Sequence, residues 1–364
     1  MNNPIIHYLM IFLMLLSTCR ARSDYYYYHP GADYGTELLF NPVTLLLNGS
    51  FDILRNGART KDITAIDYRA GYENVIANIS DPLNRIRRYG VEEFIAHEIF
   101  PVRGSDFNYI QYWPNYATHV FGNGMQYVKA AEWYDFHGFD KPYLLSGITT
   151  TAYQFLNEVV EHSSRATLNV DPIADLLIFN PVGLALFSLP ATRRFFSETT
   201  QLLDWSLQPM LAPATGFLEN AGQQYALKYP LPGSARVKGF VFWGIQGMVG
   251  ASLARPDGEA LSLAAGVIVN NLREKRLNRV AFMAPHLDGA IGLFHDRNNS
   301  LLYSVIISGP RLPNCRVNIF PGIIRTRWGS PGIYCGFGQW DGLLVGIGWA
   351  VSPVGLVHSF LPGA

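Results

Sequence analysis

Charge is scarce in this chain. Only 15% of its residues are Asp, Glu, Lys or Arg, against roughly 25% in ordinary soluble domains. The 28 basic and 28 acidic residues cancel, so there is no basic field to hold nucleic acid. Cysteine is nearly absent, at three residues. None of them forms a CxxC or a zinc-type Cys/His cluster, which excludes thioredoxin-like redox chemistry and a zinc ribbon. The fingerprints of common catalysts are missing as well: there is no GxSxG nucleophile elbow, no P-loop and no dinucleotide-binding glycine pattern. No repeat of fixed period occurs.

What is present is aromatic and glycine-rich: 20 Tyr, 22 Phe, 7 Trp and 34 Gly, with 49% hydrophobic residues overall. Such a composition suits a membrane-associated or envelope protein, and also a large soluble β-rich one. The N-terminus favours the first. Pro4 to Cys19 is apolar except for His7, Ser17 and Thr18, and it stops at Arg20 and Arg22. That run is short for a spanning helix and suits the apolar core of a signal peptide. Cys19-Arg20-Ala21 fits an ordinary cleavage site, whereas Leu16-Ser17-Thr18-Cys19 resembles a lipobox that would leave Cys19 as a lipidated first residue. The alternative is an uncleaved anchor with both arginines on the cytoplasmic side. With Cys19 removed or lipidated, Cys315 and Cys335 remain as an even pair. A disulfide between them is expected in an oxidising compartment, contributing about 3 kcal/mol; two buried free thiols are the alternative.

Periodicity indicates an α+β chain: residues 1–22 as signal, 23–232 mainly helical, and 233–364 an antiparallel β-rich region, with barrel-like closure as one outcome. Tyr25 to Tyr28 read as a leader lying loosely on a surface. Pro42 to Arg55, Gly71 to Tyr89 and Glu92 to Ile99 have helical spacing. Arg193 to Leu207 also reads as helical, with Trp205 inward. DPIADLLIFNPVGLALF is apolar but reads as broken at Asn180-Pro181. From about Arg236, strand-like runs alternate with turns. Alternation is clean in none of them, so both faces of the sheet are expected to be covered.

The central segment is the most informative. Asn115 is a good N-cap after Pro114, Gly138 a good stop, and Pro142 suits a first helical position. An antiparallel helical hairpin is therefore expected over 115–163, turning at Gly138 to Lys141, with Ile148, Ala152, Phe155 and Val159 on the buried face. At about 1.5 Å per residue, His119 and Glu158 lie at about the same distance from that turn. Glu132 lies much nearer to it.

These residues resemble a family of bacterial cell-envelope proteins of uncharacterised function. The likeness covers 108–190 through Trp113-Pro114-Asn115-Tyr116-Ala117-Thr118-His119, Asn157-Glu158, Ala174-Asp175-Leu176 and Asn180-Pro181-Val182-Gly183. It implies an envelope location, with weight on the His, Glu and Asp positions; the export signal, low charge and aromatic abundance add the outer membrane or periplasm as location and membrane lipid as partner. It supplies no reaction. From the residues themselves, His119 as base with Glu158 and Asp175 orienting it or stabilising charge would suit a membrane-interface hydrolase or transferase on lipid or glycan. The competing reading is a non-enzymatic envelope protein in which His119 and Glu158 lock two helices. Glu158, Glu161 and His162 read ExxEH, which is not HExxH, and no ligand from another helix is evident, so neither metal nor cofactor is assigned. Asp171 reads as a cap. His97-Glu98 and Glu92-Glu93 read as a solvated face.

Overall fold

The computed structural model describes residues 25–55, 60–100, 115–163, 169–277, 280–309, 314–338 and 342–360, with backbone alone for 270–285. Cys19, Arg20, Arg22, Trp113, Pro114 and Trp340 lie outside the described residues. Helices fill the chain as far as Thr199 and strands the rest, an α+β architecture.

The helices are α1 (Gly35–Leu39), α2 (Pro42–Phe51), α3 (Tyr68–Ser80), α4 (Pro82–Tyr89), α5 (Val91–Phe94), α6 (Asn123–Phe136), α7 (Pro142–Glu161), α8 (Asp171–Ala174), α9 (Asn180–Ser188) and α10 (Pro190–Arg194). Asn41 caps α2 by accepting from the backbone of Val43 and Thr44. Pro82 divides the predicted 71–89 helix into α3 and α4. The hairpin forms as expected: α6 ends at Phe136, Gly138 and Lys141 take positive φ, and α7 starts at Pro142.

The buried face of α7 matches the expected one only in part: Val159 is buried and Ala152 and Phe155 are half-buried. Ile148 is exposed, and Ser146, Thr150, Tyr153, Gln154 and Glu158 face inward. Their polar groups are used locally: Ser146 donates to Tyr127 O at 2.5 Å, and Thr150 to Ser146 O at 2.9 Å. Polar side chains satisfied in this way can line a helix interface, so apolar periodicity alone placed only part of the buried face.

Among the described residues, four π-helical segments interrupt the helices: Ile95–Ile99, Asn115–Gly122, Asp175–Phe179 and Phe195–Thr199. One of them joins α8 to α9, so Asn180-Pro181 does not break the 171–188 helix. That helix is long and apolar enough to cross a membrane, yet more than half of it is buried inside the protein. The leader is likewise not loose. The Glu132 carboxylate accepts from the backbone N–H groups of Tyr26, Tyr27 and Tyr28 at 2.7–2.9 Å, and Tyr27 is buried.

Strands begin at Leu202, earlier than the sequence suggested, because the first three strands have three residues each and carry no readable period. They are β1 (Leu202–Asp204), β2 (Met210–Ala212), β3 (Phe217–Glu219), β4 (Tyr225–Pro230), β5 (Val237–Trp243), β6 (Gln246–Ala254), β7 (Glu259–Leu277), β8 (Val280–Arg297), β9 (Ser300–Ser308), β10 (Cys315–Ile319), β11 (Pro331–Gly338), β12 (Gly342–Trp349) and β13 (Gly355–Phe360). Gly244-Ile245 is the turn between β5 and β6. The sheet runs β1-β4-β5-β6-β7-β8-β9-β10-β11-β12-β13-β2-β3 and is antiparallel except for β13–β2.

It does not close into a barrel: β1 and β3 are the ends of the ladder. The two connections that cross from one end to the other do pair, through Trp205 N to Gln224 O and Leu207 N to Gly222 O. Asn48 of α2 spans both, donating to Leu207 O and accepting from Gly222 N.

The two faces of the sheet differ in kind. Its inner face holds a core of Trp205, Phe240, Phe242, Met248, Phe294 and Ile306, continued by Ser252, Ser262, Ser304, Asn318 and Tyr334. Helices α6 and α9 cover the outer face only at β1, β4 and β5, where Met125, Tyr127 and Phe187 pack on Leu202, Tyr225, Leu227, Val241 and Trp243. From β6 to β13 the outer face is bare. Cross-strand register draws three rows there. The first is Val249, Ala265, Ile291, Ile307, Cys315, Phe337, Leu343, Phe360. The second is Ala251, Leu263, Leu293, Val305, Val317, Cys335, Val345, His358. The third is Leu253, Leu261, His295, Tyr303, Ile319, Ile333, Ile347, Leu356. Polar groups enter these rows only at His358, His295, Tyr303 and the two thiols. Phe240, Phe242 and Trp243 are buried and take no part in this outer band.

Candidate functional site

Four carboxyl groups from separate stretches of chain meet in the helical part. Glu98 sits on the π-helical turn after α5, Glu158 near the end of α7, Asp171 at the start of α8, and Asp175 on the next π-helical turn. All four are buried, and Glu98 and Glu158 keep only 1% of their exposure. Among the described residues, no Lys or Arg is ion-paired to any of them. Elsewhere the chain neutralises buried charge: Lys129 meets Glu37 and Asp204 at 2.8 and 3.2 Å, and Lys228 meets Asp296 at 2.6 Å.

Two glycines let these elements approach. A Cβ on Gly183 would fall 2.7 Å from His119 O and 2.6 Å from Val120 O, and one on Gly71 would strike Val159 O. Backbone contact at Gly183 seats α9 against the π-helical segment that carries His119. His119 Nδ1 lies 3.0 Å from Asn180 Oδ1, and Nε2 lies 3.3 Å from Asp175 Oδ2. Tyr153 donates to Asn123 Oδ1, which turns the Asn123 amide nitrogen toward the same Asn180 oxygen. Asn180 Oδ1 is thereby an acceptor twice over. His119 must carry its proton on Nδ1, leaving the Nε2 lone pair toward Asp175.

On the opposite side, His162 Nδ1 lies 3.0 Å from Glu158 O and 3.4 Å from Glu158 Oε2, while Nε2 lies 2.8 Å from the Asn169 amide nitrogen. Asn169 Oδ1 also accepts from the backbone N–H of Asp171. His119 and Glu158 thus share one level, as their distances from the turn required, with Asp175 hydrogen-bonded to Glu158 and touching His119. Asp171 is not only a helix start, since it hydrogen-bonds Glu98. Glu98 and His97 do not form a solvated face; both are buried, with Tyr89 OH 2.9 Å from His97 Nδ1.

Burial and mutual repulsion push these carboxyls upward. Asp171 rises to about 7, chiefly by burial and then by Asp175 and Glu161. Glu98, Glu158 and Asp175 stand well above the carboxylate range, again chiefly by burial. Burial lowers His119, keeping the imidazole neutral. The group is therefore two carboxyl pairs, Glu98–Asp171 and Glu158–Asp175, each able to hold a shared proton between its oxygens. Glu98 Oε2, Glu158 Oε2, Asp175 Oδ1 and Asn180 Nδ2 have no hydrogen-bond partner.

Cys315 and Cys335 are free thiols on neighbouring strands of the outer face. They are diagonal rather than opposed, Cys315 facing Phe337 and Cys335 facing Val317.

Comparison with protein-family models, curated proteins and solved structures gave no match for this chain.

Proposed function

We propose that the chain is an exported bacterial envelope protein, non-enzymatic in its main role and partly inserted in the outer membrane through its sheet. The observation that carries this reading is the polarity of β6 to β13. The three outward rows are apolar and bare, with Val249, Leu263, Ile291, Ile307 and Leu356 each more than half exposed. The opposite face is mixed: Ser252, Ser262, Ser304 and Asn318 lie there beside Met248, Phe294, Ile306 and Leu344. A water-facing sheet turns polar side chains outward, and a bare apolar outer band is what lipid selects. An exposed patch on this scale marks an interaction surface. Open sheet edges are costly in lipid, and here the end strands lie away from the bare arc. Lys61 O accepts from Leu218 N beside β3, and β1 lies under α6 and α9.

Urea or carbonate extraction of membranes from the producing cell tests the reading. The protein should stay in the pellet, and quantitative release into the soluble fraction would refute insertion.

A second reading is a membrane-interface hydrolase or transferase on lipid or glycan, favoured by His119 with its free Nε2 lone pair beside Asp175. A folded His119→Ala variant should then alter the envelope lipid or glycan profile; an unchanged profile removes this reading and leaves the first intact.

A further inference from the structure

We propose that Glu158, His162 and Asp171 form a binding site for one divalent transition-metal ion, with Glu98 and Asp175 as neighbouring oxygen donors. The ligand atoms of the three residues lie within 4.8 Å of one another, and all three residues are buried. They come from two different helices, so the set is held by tertiary packing rather than by a mobile loop. The sequence could supply only Glu158 and His162, four apart on α7. Asp171 joins them through the fold.

The orphaned atoms point independently to a ligand. Glu158 Oε2 and Glu98 Oε2 belong to side chains 99% buried, and neither finds a partner, nor does Asp175 Oδ1. Carboxyl oxygens brought together without Lys or Arg need something positive between them. That can be a shared proton or a shared cation. A set of one imidazole and two carboxylates provides nitrogen and oxygen donors, which suits Zn2+ or Mn2+. All-oxygen ligation is the habit of Ca2+ and Mg2+ instead. The Asn169 amide nitrogen donates to His162 Nε2 at 2.8 Å; ligation through Nδ1 moves the ring proton to Nε2 and turns the Asn169 amide so that its oxygen accepts it. Such an ion would clamp α7 to α8, and it depends in no way on where the sheet sits.

Full-length protein purified in detergent, stripped with a chelator and dialysed against Zn2+ or Mn2+, should retain about one equivalent of one of them by elemental analysis. Glu158→Gln and Asp171→Asn keep side-chain shape, and each should weaken retention by more than about a hundredfold, because even outer partners cost ten- to a hundredfold. Glu132→Gln, distant from the group, should retain metal normally. X-ray absorption at the zinc edge of the wild type needs no variant and should show one imidazole among oxygen ligands. No retention of either metal, equal retention in Glu158→Gln and Asp171→Asn, or a zinc environment without imidazole would overturn the proposal.

Discussion

Glu132 shows how this chain handles a buried charge away from the carboxyl group. It holds the tyrosine leader by three backbone hydrogen bonds, which favour its ionised form, while burial favours the neutral one. Burial wins, and its pKa rises from 4.5 to about 7. The folded value is thus above the unfolded one. Stability from this residue is fully present below pH 4.5 and falls as pH climbs through 7, by on the order of 3 kcal/mol. Denaturant melts at pH 4.5 and 7 should show a loss that is larger in the wild type than in Glu132→Gln by about that amount, since the other raised carboxyls contribute equally to both. A wild type that gains stability across the window would mean that the three N–H donors outweigh burial. Lys129 presents the opposite case, a buried cation satisfied by two carboxylates and set 4.5 Å above the Phe40 ring. Lys129→Met should cost roughly 3–5 kcal/mol by stranding Glu37 and Asp204, read as a lower unfolding midpoint.

At the level of elements, three members of the site, Glu98, His119 and Asp175, lie on π-helical turns. A π turn widens the helix by one residue and re-aims the side chains after it, a device common at functional sites. No residue pattern in Ile95–Ile99 or Asp175–Phe179 announces such a turn, so the sequence misplaced Glu98 on a solvated face and treated Asp171 as a cap. The hairpin was legible because Gly138 and Pro142 punctuate it, and the common level of His119 and Glu158 followed from helical rise alone. The buried face of α7 was legible only in part, at Val159, because Ser146, Thr150 and Gln154 pack there with satisfied polar groups. Gly183 supports this arrangement by backbone contact. Gly183→Ala should push α9 off Val120 and cost about 1–3 kcal/mol, measured by urea midpoint. A variant as stable as wild type would show that the contact is not tight.

On the scale of the whole molecule, the α+β division was readable from the shift in composition, but its boundary was not. Strands of three residues carry no period, and the long β7–β8 hairpin hid its outward residues among glycines and alanines. The apolar outer band becomes visible only when register lines up Val249, Ile291, Ile307 and Phe337 into one row. Leu263→Arg separates the two possible environments of that face. In lipid it should cost about 2–4 kcal/mol and reduce membrane recovery; in water a surface change of this kind stays within about 0.5 kcal/mol.

The most direct test is spin-label accessibility in a Cys315→Ala, Cys335→Ala background, in reconstituted outer-membrane lipid. Labels at Val249, Ile291 and Phe337 should collide freely with oxygen and weakly with a water-soluble nickel chelate, while a label at exposed Glu92 should do the reverse. Outward labels as open to the chelate as the one at Glu92 would contradict insertion of the sheet.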